Sequence, residues 1–170
     1  MINKNIGIII YLKKIKENDL FIKLLTFNDE LISGVVYGGN STKKKQNYQL
    51  GYVIDYNLFK KNTNRIASIK AELCPPFLGS IFEDKYKSLA ILATVSLLNL
   101  SILEGQKITG LYKSSFELID IISSKNKWLN DYCKWLFILL KQIGYEVNYE
   151  KNKNLKYFNL DKNDFENDNL

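Results

Sequence analysis

The residues in this chain best equipped for chemistry are lysines. Lys43, Lys44 and Lys45 run together, flanked by Ser41, Thr42 and Gln46, and Lys13, Lys14 and Lys16 form a second group. Clustered ammonium groups neutralise phosphates, and binding of that kind weakens steeply with salt. A solvated, flexible lysine run fits the same residues. Aromatic side chains are interleaved: Tyr11, Phe21, Tyr37, Tyr48 and Tyr52. Exposed rings stack on bases while lysines track the backbone of a single strand. Strand alternation buries every second ring, so most of these five are read as core. Tyr48, placed in a loop, is the one expected to be free.

Other chemistry finds little support. Glu17 and Asp19 are close in sequence, as are Asp29 and Glu30, and paired carboxylates can serve acid–base or metal chemistry. Both pairs fall in turns, where solvated charge is the default. With no histidine and only Cys74 and Cys133, the chain cannot supply the roughly four Cys or His ligands of a structural zinc site. Histidine catalysis is excluded. Gly38-Gly39 is followed by no Gly-Lys-Ser/Thr and opens no helix, so it is not a phosphate loop. The sequence therefore reads as a binding protein, with no catalytic residue, metal or cofactor expected.

The net charge of +6 is unevenly placed. Residues 1–73 hold 12 Lys or Arg against 6 acids, and residues 74–170 hold 12 against 12, so the whole excess lies in the first half. Lysine is common throughout, but the asymmetry is not explained by that.

The elements that must position these residues are short strands, then helices. Ile6–Leu12, Leu20–Thr26, Leu31–Tyr37, Tyr52–Phe59 and Ile66–Leu73 read as strands. Leu20, Ile22 and Leu24 share one face, as do Tyr52, Ile54, Tyr56 and Leu58, and Ala67, Ile69, Ala71 and Leu73 oppose Ser68, Lys70 and Glu72. Strands of this number in so short a span suggest the five-stranded OB-fold barrel. A long loop, Gly38–Leu50, carries the triple lysine. Cys74-Pro75-Pro76 stops the pattern.

Beyond it the chain reads helical to Tyr145. Asp84 can cap a helix to about Leu103, apolar nearly all round and so expected at the centre of a bundle. Ser114-Ser115-Phe116-Glu117 has capping-box spacing for a second helix through Ile122, with helical character that can begin near Lys107. Trp128, Tyr132, Trp135, Leu139 and Ile143 form a stripe that fits core packing or, on a rival reading, a partner-binding face. The fold class is α+β: an OB-fold barrel over residues 1–75, an all-α helical bundle over 76–149, and a polar, poorly ordered tail over 150–170 with a short ordered segment near Leu155–Leu160. No export signal is recognised at the start. The longest uncharged stretch, Ser88–Leu103, is shorter than the ~20 apolar residues that span a bilayer, so the expectation is a cytoplasmic protein without membrane contact.

The succession of motifs resembles the RecO family of recombination mediators, in the alphaproteobacterial form and as a short variant. Gly7-Ile8-Ile9-Ile10 resembles the family's first strand. Glu17-Asn18-Asp19 followed by Leu24-Leu25-Thr26 resembles its acidic turn and second strand. Gly34, Gly38-Gly39 and the basic loop behind them match. Gln49-Leu50-Gly51 is similar to the family's Leu-Gln-Pro-Gly, with Leu50 at the proline position, and Arg65-Ile66-Ala67 with Ala71-Glu72-Leu73 to its fifth strand. Pro76-Phe77-Leu78-Gly79 and the helix through Trp128, Tyr132, Trp135, Leu139-Leu140 and Gly144-Tyr145 resemble the helical domain. The cysteine-rich zinc site of many relatives is missing, a polar tail stands where longer relatives continue in helix, and Leu136 stands where a glutamate often follows the tryptophan.

The resemblance implies binding of single- and double-stranded DNA, annealing of complementary strands, partnership with RecR and with single-stranded-DNA-binding protein, and assistance to loading of RecA, with no cofactor. The candidate phosphate contacts are Lys13, Lys14, Lys16, Lys43, Lys44, Lys45 and Arg65, and the candidate stacking ring is Tyr48. The rival reading is a protein-interaction adaptor whose barrel docks a protein and whose lysines only solubilise it. The DNA reading requires the lysines to share one surface.

Overall fold

The computed structural model describes residues 5–60, 66–76, 78–145, 157–159 and 164–166. Strands β1 (Ile6–Lys14), β2 (Leu20–Thr26), β3 (Leu31–Val36), β4 (Val53–Phe59) and β5 (Ser68–Cys74) close into a barrel in the order β1-β2-β3-β5-β4. Helices α1 (Lys85–Ser101), α2 (Leu111–Ser124) and α3 (Leu129–Gln142) follow. The expected OB-fold barrel and helical bundle are both present. The expectation for the tail falls mostly outside the described residues. Within it, β6 (Tyr157–Asn159) and β7 (Asp164–Glu166) pair antiparallel.

Closure of the barrel depends on two local features. The register between β1 and β2 shifts at Ile10, between Ile9 and Tyr11. Such a bulge bends a strand, and β1 duly pairs with β4 through Ile6–Ile8 while its whole length follows β2. On the far side, β3 meets β5 through the parallel pair Val35↔Ser68. A Cβ on Gly34 would lie 2.7 Å from Ile69 Cγ1 and 2.9 Å from the Ala67 carbonyl oxygen, so only glycine lets β5 come this close. Inside, Ile22, Leu24, Ile54 and Ile69 are fully buried, as the period-two pattern of the sequence requires.

Barrel and helices share one apolar core. Gly51, at φ +84°, sits under α1, where a Cβ would collide with Ile91. Asp84 caps α1 as expected, accepting from the N–H groups of Tyr86 (2.9 Å) and Lys87 (3.1 Å). The cap of α2 is not the expected one. The helix starts at Leu111, so Ser114 lies inside it, and its N-cap is Gly110, which has no side chain to offer. The barrel supplies the cap instead. Asp29, in the β2–β3 turn, accepts from the Gly110 N–H at 2.8 Å and the Tyr112 N–H at 2.9 Å, and its own carbonyl accepts from the Ile108 N–H at 3.3 Å. The carboxylate is therefore structural rather than merely solvated. The tryptophan stripe is core: Trp135 and Leu139 are buried and Trp128, Tyr132 and Ile143 pack against them.

Replacing Asp29 by alanine leaves two helix-terminal N–H groups without their acceptor. The expected cost is about 1–3 kcal/mol, read by urea unfolding followed by circular dichroism. Tyr112 gives a second test. Burial, with a smaller contribution from the Cys74 thiol, pushes its hydroxyl from 10.0 up to about 12. Below pH 10.0 folded and unfolded chains both keep that proton. Between 10.0 and about 12 the unfolded chain ionises first, so stability falls as pH rises through that window. Tyr112→Phe should remove up to roughly 2–3 kcal/mol of this alkaline loss, measured as the difference in pH dependence from the parent chain.

Candidate nucleic-acid interface

Two lysine groups of the first half, Lys13, Lys14 and Lys16 and Lys43–Lys45, lie at one end of the barrel. Lys13 and Lys14 close β1, and Lys16 lies in the turn to β2; all three are exposed. That turn is tied to the start of the β3–β4 loop. Asp19 Oδ1 accepts from the Gly38 N–H at 2.9 Å, the Asn18 carbonyl accepts from the Asn40 N–H at 2.8 Å, and the Glu17 carbonyl accepts from Asn40 Nδ2 at 3.1 Å. Asp19 thus joins two loops.

The loop itself is folded. The Ser41 carbonyl accepts from the N–H groups of Lys44 and Lys45, both at 2.9 Å, and a 3₁₀ turn follows over Lys45–Asn47. Lys43, Lys44 and Lys45 are all exposed along it.

Pairing extends this end around the barrel. Lys13 pairs with Phe21, Phe21 with Val35, Val35 with Ser68, and Ser68 with Phe59. Paired residues share a face, so this row follows the side of the strands opposite the barrel interior, with Lys13 and Phe59 exposed, Phe21 and Ser68 half-buried and Val35 buried. The next row carries Tyr11 opposite Lys23. Lys23 Nζ lies 5.5 Å from the centre of the Tyr11 ring, and Tyr11 meets Phe21 edge-on at 6.3 Å. On β5, Lys70 Nζ lies 5.4 Å from the centre of the Phe59 ring. Both are cation–π geometries. Exposed Lys60, just after β4, belongs to the same end.

The acids of the barrel lie largely elsewhere. Asp55 and Glu72 face each other across β4 and β5, and Asp55 also pairs with Ile6 at the start of β1. Lys13 lies seven residues further along that strand, roughly 20 Å away. Asp29 and Glu30 are also at this acidic end, where the helices dock.

Tyr48 is not the free ring that its loop position suggests. It is 7% exposed, and its hydroxyl donates to the Ala71 carbonyl at 3.1 Å. Beyond Val35↔Ser68, β3 and β5 diverge, and Tyr48 supplies a donor to β5 there. Burial raises the pKa of this hydroxyl, and the bond to Ala71 opposes that shift. Tyr52 is likewise core. The exposed ring is Tyr37, at 65%. Tyr37, Lys44, Asn47, Ser68 and Lys70 line a pocket of about 270 Å³ over the β3–β5 seam, floored by Val36, Tyr48, Ile69 and Ala71. Arg65 lies outside the described residues. Lys23 and Lys70 were legible, since the faces assigned to β2 and β5 turn both outward. The place of Tyr37 in the pocket lining and the burial of Tyr48 depend on how the loop folds back. Among the described residues, no three His, Cys, Asp or Glu side chains gather in a group that could hold a metal ion, and no helix is long and apolar enough to cross a membrane.

A closed five-stranded barrel in this order, followed by helices, makes the chain an OB-fold protein with a helical second half. Residues 1–77, the barrel and the segment just past it, match the family described as Recombination protein O N terminal. It is 31% identical over 148 residues to the DNA repair protein RecO of Rickettsia bellii (strain OSU 85-389), a match covering 87% of this chain and 61% of that protein. The proteins of the same name from Rickettsia akari (strain Hartford), 31% identical, and Rickettsia africae (strain ESF-5), 32% identical, match over 87% of this chain and 62% of their own length. The chain thus spans about three fifths of the length of these relatives.

Tyr48→Phe separates the two roles considered for this residue. Loss of the bond to Ala71 should lower stability by about 0.5–1.5 kcal/mol. Affinity for single-stranded DNA, measured by fluorescence anisotropy, should stay unchanged.

Proposed function

We propose that the chain binds DNA through the lysine-bearing end of its barrel and works in recombinational repair, without catalysing a reaction of its own. The observation that carries this reading is the pair of loops joined by Asp19 and Asn40, which sets Lys13, Lys14 and Lys16 at the same end as Lys43, Lys44 and Lys45. A polyanion following the outer row would meet these lysines in succession, with Lys70 and Lys60 continuing the path. Tyr37, Tyr11 and Phe21 offer rings on which bases can stack, in place of Tyr48. Nothing in this set reads base edges, so binding is sequence-tolerant.

Strand annealing follows from the same electrostatics. Two strands held against one cationic surface lose much of their mutual repulsion. Partnership with RecR and with single-stranded-DNA-binding protein, and assistance to RecA loading, come to the proposal from the family and from the relatives' role as DNA repair proteins.

Neutralising about four to six phosphates predicts a slope of about −3 to −4 in log K against log salt on single strands. Converting Lys43, Lys44 and Lys45 together to alanine should flatten that slope by about two units. Anisotropy titrations of a labelled oligonucleotide at several salt concentrations measure both. A slope indifferent to the triple substitution removes these lysines from the site. Absence of any DNA binding at moderate salt would favour an adaptor whose barrel docks protein.

A further inference from the structure

Between β3 and β5 the barrel wall has a built opening. The two strands pair only at Val35↔Ser68, and Gly38, at φ +67°, turns the chain just after β3 ends. Four successive residues of β5, Ser68–Ala71, line the pocket of about 270 Å³ that results. Alternate residues of a strand face opposite sides of a sheet. Here both sides contribute, because the pocket opens onto the edge of the strand.

The floor is fixed before anything binds. The buried Tyr48 ring is held by its hydroxyl, which donates to the Ala71 carbonyl at 3.1 Å, and Val36 and Ile69 beside it are buried. The walls are cationic and come from opposite sides. Lys44 stands on the β3–β4 loop, where its N–H donates to the Ser41 carbonyl, and Lys70 stands on β5 over the Phe59 ring. Among the described residues no carboxylate lines the pocket. The exposed Tyr37 ring and the half-buried Asn47 amide complete the rim.

This combination narrows the ligand. An apolar floor with a ring at the rim suits a flat aromatic face. Lysines on both flanks, with no acid between them, suit phosphates before and after that face. A nucleotide within a strand has this form, one base with a phosphate on either side. Sites for drug-sized molecules run from about 300 Å³ upward, so the room here is for a single base with its sugar and phosphates outside.

We propose that the β3–β5 pocket receives one unpaired base of a bound DNA strand, turned out of the stack against Tyr37, while Lys44 and Lys70 hold the phosphates that flank it. The proposal rests on the lysine-bearing end being a DNA surface, and it adds a preference for strandedness. A base in a duplex reaches such a pocket only after unpairing and unstacking. The pocket therefore favours single strands, whereas lysines alone accept either form. The Asn47 amide offers both donors and an acceptor, so every base finds a partner and binding stays sequence-tolerant.

The test is fluorescence anisotropy of the full chain with two labelled strands of equal length, oligothymidylate and a wholly abasic strand. Their phosphates are the same, so both should show the same salt slope. The thymine strand should bind about tenfold more tightly, since one stacked base is worth about fivefold to a hundredfold. Tyr37→Ala should weaken the thymine strand by about that factor and leave the abasic strand and a duplex as they were. Asn47→Leu combined with Ser68→Leu, which crowds the pocket without offering a ring, should act in the same way. A thermal melt checks that this chain folds, and Tyr37→Ala, at an exposed position, decides the matter if it does not. Equal affinity of the parent chain for both strands, at an undiminished salt slope, overturns the pocket and leaves the DNA surface standing. So does a folded, crowded chain that holds the thymine strand as tightly as the parent, because the base then stacks outside. Displacement of the strand by thymidine monophosphate at equal concentration would make this a free-nucleotide site and also overturns the proposal. Failure to bind any of these strands overturns both readings.

Discussion

Beyond their shared apolar core, the two halves of this molecule are tied by one carboxylate. Asp29 reaches from a turn of the barrel to two N–H groups at the start of α2, across 81 and 83 residues of chain. Helix-terminal N–H groups need acceptors, and Gly110 has none to give. Asp29 itself adopts φ 63°, a left-handed conformation that aspartate tolerates better than most side chains. The placing of α2 and α3 follows from this contact. Once α2 is fixed, Gln142 of α3 donates to the Thr109 carbonyl at 3.3 Å and lies within 3.3 Å of the Ser114 hydroxyl. A barrel turn thereby positions α2, and α2 positions α3.

Much of this was legible because it depends on period and charge. The inward faces of β2, β4 and β5, the cap of α1 by Asp84, and the burial of Trp135 and Leu139 all follow from patterns within one element. Three features were not. Ser114 stands at a plausible capping position, but the better acceptor is distant in sequence and close in space. Tyr48 occupies a loop, yet that loop folds over the seam where β3 and β5 diverge, and a ring there fills space that no strand fills. The side of α1 opposite the barrel looks like core by composition, yet Leu89 and Leu100 are exposed there rather than at the centre of a bundle, and composition alone cannot say what lies against it.

The candidate interface shows the same division. Lysine-rich segments are visible at once in the sequence, but their meeting is a matter of topology. In an OB barrel the β1–β2 turn and the exit of β3 lie at one end, and here the Asp19 carboxylate and the Asn40 amide join them. One acid that looks poorly suited to a phosphate-binding surface is thereby occupied with a backbone N–H. The opposite end holds Asp55 and Glu72 and receives the helices.

That segregation of charge acts before any contact is made. With Lys13, Lys14, Lys16 and Lys43–Lys45 outnumbering Glu17 and Asp19 at one end, and Asp55 and Glu72 roughly 20 Å away, the barrel has an electrical long axis. Under the function proposed above, a strand of DNA diffusing nearby would attract one end and repel the other, turning the molecule toward its binding orientation during the approach. Collisions that would otherwise need many rotational trials become efficient, and the gain appears as a faster association rate that fades as salt shortens the reach of the field.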